Sequence, residues 1–196
     1  MLNEIVANTP ELNDWIELYN PTDAAITLGA GWYLSDDGGA YTNLMKWQIP
    51  PGTTIPAHGF VSFDENAGFH NPTNTGFALS KGGDEVFLSF LPGNAQDRVV
   101  DAVSFKAQEE TWSLGRHPDG GAFWYALSSQ TRGTTNAPPP HRAVISELMY
   151  HPQDILVGTN LTDNSLDEFI EIASSAGSGR VTMTNAFNAL SWQARH

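Results

Sequence analysis

Carboxylates that occur twice in the same setting are the residues best placed to do chemistry. Glu4 lies in Leu2-Asn3-Glu4-Ile5-Val6 and is followed by Glu17 in Asp14-Trp15-Ile16-Glu17-Leu18. Glu147 lies in Ile145-Ser146-Glu147-Leu148-Met149 and is followed by Glu171 in Glu168-Phe169-Ile170-Glu171-Ile172. On adjacent paired strands, the two outward glutamates of each set come close enough to share an ion or to bind a backbone segment. The structural alternative is that they pair with Lys46, Lys106 or Arg116, or accept backbone amides in a loop.

Other carboxylates offer weaker metal chemistry. Asp163, Ser165 and Asp167 have the one-three-five spacing that begins a calcium loop, but Glu168 stands where the glycine is required and Ser174 where the closing glutamate belongs. A solvated acidic loop is therefore expected there, with calcium as the alternative. Asp36 and Asp37 precede two glycines, which reads as a capped polar turn before it reads as a calcium site. The six histidines show no zinc spacing, and there is neither a nucleophile elbow nor a phosphate-cradling glycine loop. No catalytic residue or cofactor is expected, calcium apart. Trp15, Tyr19, Trp32, Tyr33 and Trp47 raise a sugar-stacking hypothesis, against the commoner use of strand aromatics as core or cross-strand pairs.

Short alternating runs separated by Gly, Pro, Asn and Asp must position these residues. The period-two pattern predicts strands at Asn3–Ala7, Trp15–Asn20, Ala25–Leu28, Trp32–Ser35, Met45–Ile49, Gly59–Phe63, Glu85–Phe90, Val99–Phe105, Trp112–Arg116 and Phe123–Leu127. No helical period competes, so the fold is all-β, with two sheets burying one another. Alternation places Ile5, Ile16 and Leu18 inward and Glu4, Trp15, Glu17 and Tyr19 on the opposite face. The run Ala137-Pro138-Pro139-Pro140 cannot join a sheet ladder. It divides a domain at 1–136 from a linker at 137–142 and a partial second copy at 143–196. In that copy the stretch Gln153–Asp167 reads as a loop insertion, and the segment from Ser174 as a flexible tail.

Composition limits the function classes. In 196 residues, 22 acidic against nine basic side chains give a net charge of −13, which argues against nucleic acid and anionic membranes as partners. The absence of cysteine removes disulfides and thiolate metal sites. No apolar run is long enough to span a membrane, and the first residues lack the pattern of an export signal.

Several ordered blocks together resemble the bacterial lamin-tail domain. They include Asp14-Trp15-Ile16-Glu17-Leu18-Tyr19-Asn20-Pro21, Gly31-Trp32-Tyr33-Leu34-Ser35-Asp36-Asp37, Lys46-Trp47-Gln48-Ile49-Pro50 and Gly115-Arg116-His117-Pro118-Asp119-Gly120. The resemblance covers roughly residues 2–136, and Val144–Pro152 with Asp167–Ile172 looks like the opening of a second such domain. It implies an immunoglobulin-like β-sandwich from a large secreted or surface protein, without a catalytic site to carry over. The expected function is a non-catalytic interaction or adhesion module with a protein or cell-surface polysaccharide ligand. An accessory domain of a metal-dependent hydrolase, or a calcium-binding structural module, is the alternative. The strand edges of the partial copy also raise self-association.

Overall fold

Alternation of apolar and polar side chains builds two antiparallel sheets whose apolar faces meet. The computed structural model describes residues 1–9, 13–71, 73, 76–140, 143–150, 152–164 and 168–174, and divides into two units, Met1–Pro139 and Pro140–His196. In the first unit the strands are β1 (Leu2–Val6), β2 (Trp15–Tyr19), β3 (Ile26–Thr27), β4 (Trp32–Ser35), β5 (Trp47–Gln48), β6 (Thr54–Ile55), β7 (Phe60–Asp64), β8 (Gly83–Phe90), β9 (Arg98–Lys106), β10 (Ser113–Arg116) and β11 (Trp124–Leu127). One sheet has the order β11-β10-β1-β2-β7, the other the order β5-β4-β8-β9, and β3 pairs with β6. This is an all-β, immunoglobulin-like sandwich.

The core lies between the sheets. Ile5, Ile16 and Leu18 from one sheet and Leu34, Val86 and Leu88 from the other are almost completely buried in it. Trp47 fills one end, with its ring 5.2 Å from Phe63 and 6.3 Å from Phe69. Burial of such side chains stabilises the fold by about 1.5–3 kcal/mol each.

Three local departures from the predicted strands have physical causes. Tyr41–Met45 forms a 3-10 turn through local hydrogen bonding such as the Asn43 amide to the Ala40 carbonyl at 3.0 Å, which leaves β5 only two residues. The strand foreseen at Ala25–Leu28 shortens to β3, and its partner β6 carried too few residues to show a period. After β7 the chain makes a π-helical turn at Glu65–Phe69, which delivers Phe69 to the core stacked on Phe77 at 4.6 Å.

The second unit, taken by itself, contains β12 (Ala143–Met149), β13 (Ile155–Val157), β14 (Asn160–Thr162) and β15 (Phe169–Ser174). β12 pairs with β15, and β13 with β14. The stretch read as a loop insertion thus holds a hairpin: Asn160 pairs with Val157 across a turn in which Gly158 supplies a φ of 67°. The segment read as a flexible tail lies, beyond Ser174, outside the described residues.

Candidate functional site

A β-bulge sets up the site. Leu2 pairs with Leu18 and Glu4 with Glu17, so Asn3 is the extra residue on β1. The bulge lets Leu2 and Ile5 both reach the core while Asn3 and Glu4 turn to the outer face of the five-stranded sheet. Alternation on β2 sends Trp15, Glu17 and Tyr19 to that same face.

That face is not open to water. The chain after β11 returns across it as a strap, residues 128–136, and both glutamates are 0% exposed. Glu4 accepts the Thr131 amide at 3.1 and 3.2 Å and the Thr131 hydroxyl at 2.8 Å. Glu17 accepts the Gly133 amide at 2.6 Å, with the Asn3 side-chain amide at 3.5 Å from its other oxygen. Neither pairs with Lys46, Lys106 or Arg116; among the described residues Lys46 pairs with Asp36, and Arg116 with Asp101. The two outward glutamates are a receptor for the backbone of the chain's own strap.

A second set of polar groups anchors the far end of the strap. The Asn136 side chain donates to the Arg116 carbonyl at 2.8 Å and the Asn3 carbonyl at 3.3 Å, and its Oδ1 lies 2.6 Å from the Thr131 hydroxyl, whose single proton it shares with Glu4. The Asn136 amide reaches Asp119, which also accepts from Asn3. Arg116 donates to the Leu2 carbonyl at 2.9 Å and to both oxygens of Asp101, with its guanidinium 4.5 Å from the Trp124 ring centre. Buried polar groups are tolerated when satisfied in this way.

Burial is the largest influence on the glutamates. It pushes Glu17 up to about 7, with the Gly133 amide opposing and the neighbouring Glu4 charge adding to the rise. Glu4 is also raised by burial, against the hydroxyls of Ser113 and Thr131 and the Thr131 amide. A pair of raised carboxylates is the usual setting for general acid–base work, but these are enclosed by strap and sheet.

The remaining candidates do not converge. Asp36 binds Lys46 at 2.5 Å, and Asp37 caps its turn through the Gly39 amide and the Asn43 side chain, both at 2.8 Å. Asp163 is exposed, and Asp167 with Ser165 lies outside the described residues. Among the described residues no three His, Asp or Glu side chains gather as a metal would require. The aromatics are likewise dispersed. Trp47 is buried in the core and Trp32 rests on Phe90 at 5.1 Å, which takes neither to a stacking surface. Tyr33 faces Gln48 and Ser89 in the register of its sheet. Tyr19 leans on Phe60 at 5.1 Å, and Trp15 lies beneath Arg132, whose guanidinium is 5.6 Å from the ring.

Beside the strap opens a cleft of about 800 Å³. Trp15 and Arg132 form its floor, and Thr111, Ser128, Ser129 and Gln130 contribute to its walls. Of these, sequence reasoning had singled out Trp15 alone. Thr111 lies in a short polar connection and the others in the Ser/Thr/Gly-rich strap, neither with a period, and the end of the strap, Thr131 to Asn136, read only as the approach to a domain boundary.

In the second unit Glu147 pairs with Glu171 across β12 and β15, with the register shift falling between Ile145 and Glu147. This repeats the pairing of Glu4 with Glu17 and the place of its bulge. Here both glutamates are exposed.

No curated protein and no solved structure matches the chain. The model of the Lamin Tail Domain family matches residues 1–107, more than half of the sequence. With the sandwich and its ordered sequence blocks, that match establishes that the chain belongs to the lamin tail domain family.

Proposed function

We propose that the chain is a non-catalytic interaction module of a larger secreted or cell-surface multidomain bacterial protein. The observation that carries this reading is the engagement of Glu4 and Glu17: the two carboxylates best suited to acid–base or metal chemistry are buried and hold the backbone of the strap. A strap fixed in this way walls a cleft instead of a reaction centre. Family membership supports a binding role, and the extracellular setting follows from the company such domains keep. Among the described residues no helix is long and apolar enough to cross a membrane.

The same reading makes β12 and β15 the opening strands of a further module of the same kind. Ile145, Leu148, Ile170 and Ile172 are exposed on them, and self-association through these strands would appear as concentration-dependent elution.

The test is an assay of the full chain on ester, phosphodiester, peptide and glycoside substrates, with and without calcium, magnesium or manganese. No turnover is expected. Hydrolysis that Glu4→Gln or Glu17→Gln abolishes in a folded protein would replace the module with an enzyme. Calcium should leave the melting temperature unchanged, because a ligand bound only by the native state raises it; a rise would favour the calcium-binding alternative.

A further inference from the structure

The cleft beside the strap has the chemistry of a ligand site, and its lining narrows the ligand. Its floor is held rigid: Arg132 donates to both oxygens of Asp64 at 2.6 and 2.8 Å and to the Ser62 hydroxyl at 2.7 Å, over the Trp15 ring. That pairing neutralises the guanidinium charge. The walls differ from the floor. Thr111, Ser128 and Ser129 are exposed and Gln130 is half-buried, and among the described residues their side chains take part in no hydrogen bond within the fold, which leaves them to water or a ligand. Thr and Ser hydroxyls both donate and accept, and a glutamine amide offers two donors and an acceptor. Thr111 is also held at a φ of 69°, a left-handed conformation unfavourable for a β-branched residue and concentrated at ligand sites.

Charge and polarity remove the competing ligand classes. Among the described residues no carboxylate lines the cleft, and these residues offer a cation no counter-charge. An anion meets a guanidinium already paired, in a chain of net charge −13. An apolar peptide anchor finds little to bury against, since the Trp15 indole is only 4% exposed beneath Arg132. Mixed donors and acceptors without net charge, along a cleft of about 800 Å³, suit a neutral polyhydroxylated ligand. We infer that this cleft binds a neutral glycan segment, through the hydroxyls of Thr111, Ser128 and Ser129 and the amide of Gln130. The inference rests on the chain being an interaction module and names the ligand class of that module.

Titration calorimetry of the full chain with cellotetraose, xylotetraose, mannotetraose, chitotetraose and an acidic oligogalacturonide tests it, with the Gln130 side-chain amide protons followed by NMR. At least one neutral tetrasaccharide is expected to bind and to shift the Gln130 amide signals. Ser128→Ala and Gln130→Ala remove groups with no partner inside the fold, so both variants should stay folded and bind about tenfold more weakly. Binding confined to the oligogalacturonide and lost in Arg132→Gln would overturn the neutral-ligand assignment. So would failure of every sugar to bind, which leaves the module reading standing. Hydrolysis of a bound sugar would overturn the module reading while upholding the cleft.

Discussion

At the scale of single residues, the informative group is Glu17. Its carboxyl is raised from an ordinary 4.5 to about 7, so the folded protein holds this proton more tightly than the unfolded chain does. Stability contributed by the group is full below about pH 4.5 and is lost as the pH rises through 7. Glu4 is shifted in the same direction by burial. Asp64 is lowered, chiefly by its hydrogen bond from Arg132, and so acts below the ordinary aspartate range, outside this window. Unfolding free energy measured in urea should therefore fall between pH 5 and pH 7.5. Glu17→Gln, which keeps an acceptor for the Gly133 amide, should flatten that slope; an unchanged slope in the variant would mean that Glu17 does not titrate in the buried state. Thr131→Val deletes the hydroxyl shared by Glu4 and Asn136 and should lower stability by about 2 kcal/mol in the same experiment.

At the scale of elements, the strap depends on close approach to β10. A Cβ added at Gly115 would sit 2.5 Å from a Leu127 methyl and 2.7 Å from the Asn136 side-chain nitrogen, so Gly115→Ala must displace β11 or the strap anchor. The expected cost is about 1–3 kcal/mol, with lost dispersion of the Asn136 side-chain signals in NMR; a fully stable variant with those signals unmoved would contradict the packing described. Much of this architecture was legible in the sequence. Alternation put Ile16 and Leu18 inward and Glu17 outward, and the turn residues separated most strands correctly. What did not show was the cover on the outer face. Period two reports which side a residue takes, but not whether an aperiodic segment more than a hundred residues later returns to bury that side. Glu4 and Glu17 were thus recognised as a pair, and backbone amides in a loop as one of their outcomes, without any indication of which loop. The bulge at Asn3 was hidden for a related reason, since one extra residue becomes visible only against its partner strand.

At the scale of the whole molecule, the folding unit extends past the stretch matched by the family. β10 pairs with β1, and Arg116, Thr131 and Asn136 close the network on β1 and β2, all beyond residue 107. Residues 1–139 should therefore unfold in a single cooperative transition, whereas residues 1–107 should not; a cooperative melt of the shorter piece at the same temperature would show that the strap is dispensable. The repeated glutamate register of β12 and β15 invites the expectation that other members of this fold hold their straps in the same way. The role assigned to Glu4 and Glu17 is most directly tested by native-state hydrogen exchange at the amides of Thr131 and Gly133. Both should exchange at rates approaching global unfolding in the wild-type chain, and Gly133 should become fast in Glu17→Ala. Loop-like exchange at both amides in the wild-type protein would show that the glutamates are not engaged by the strap and are free for chemistry.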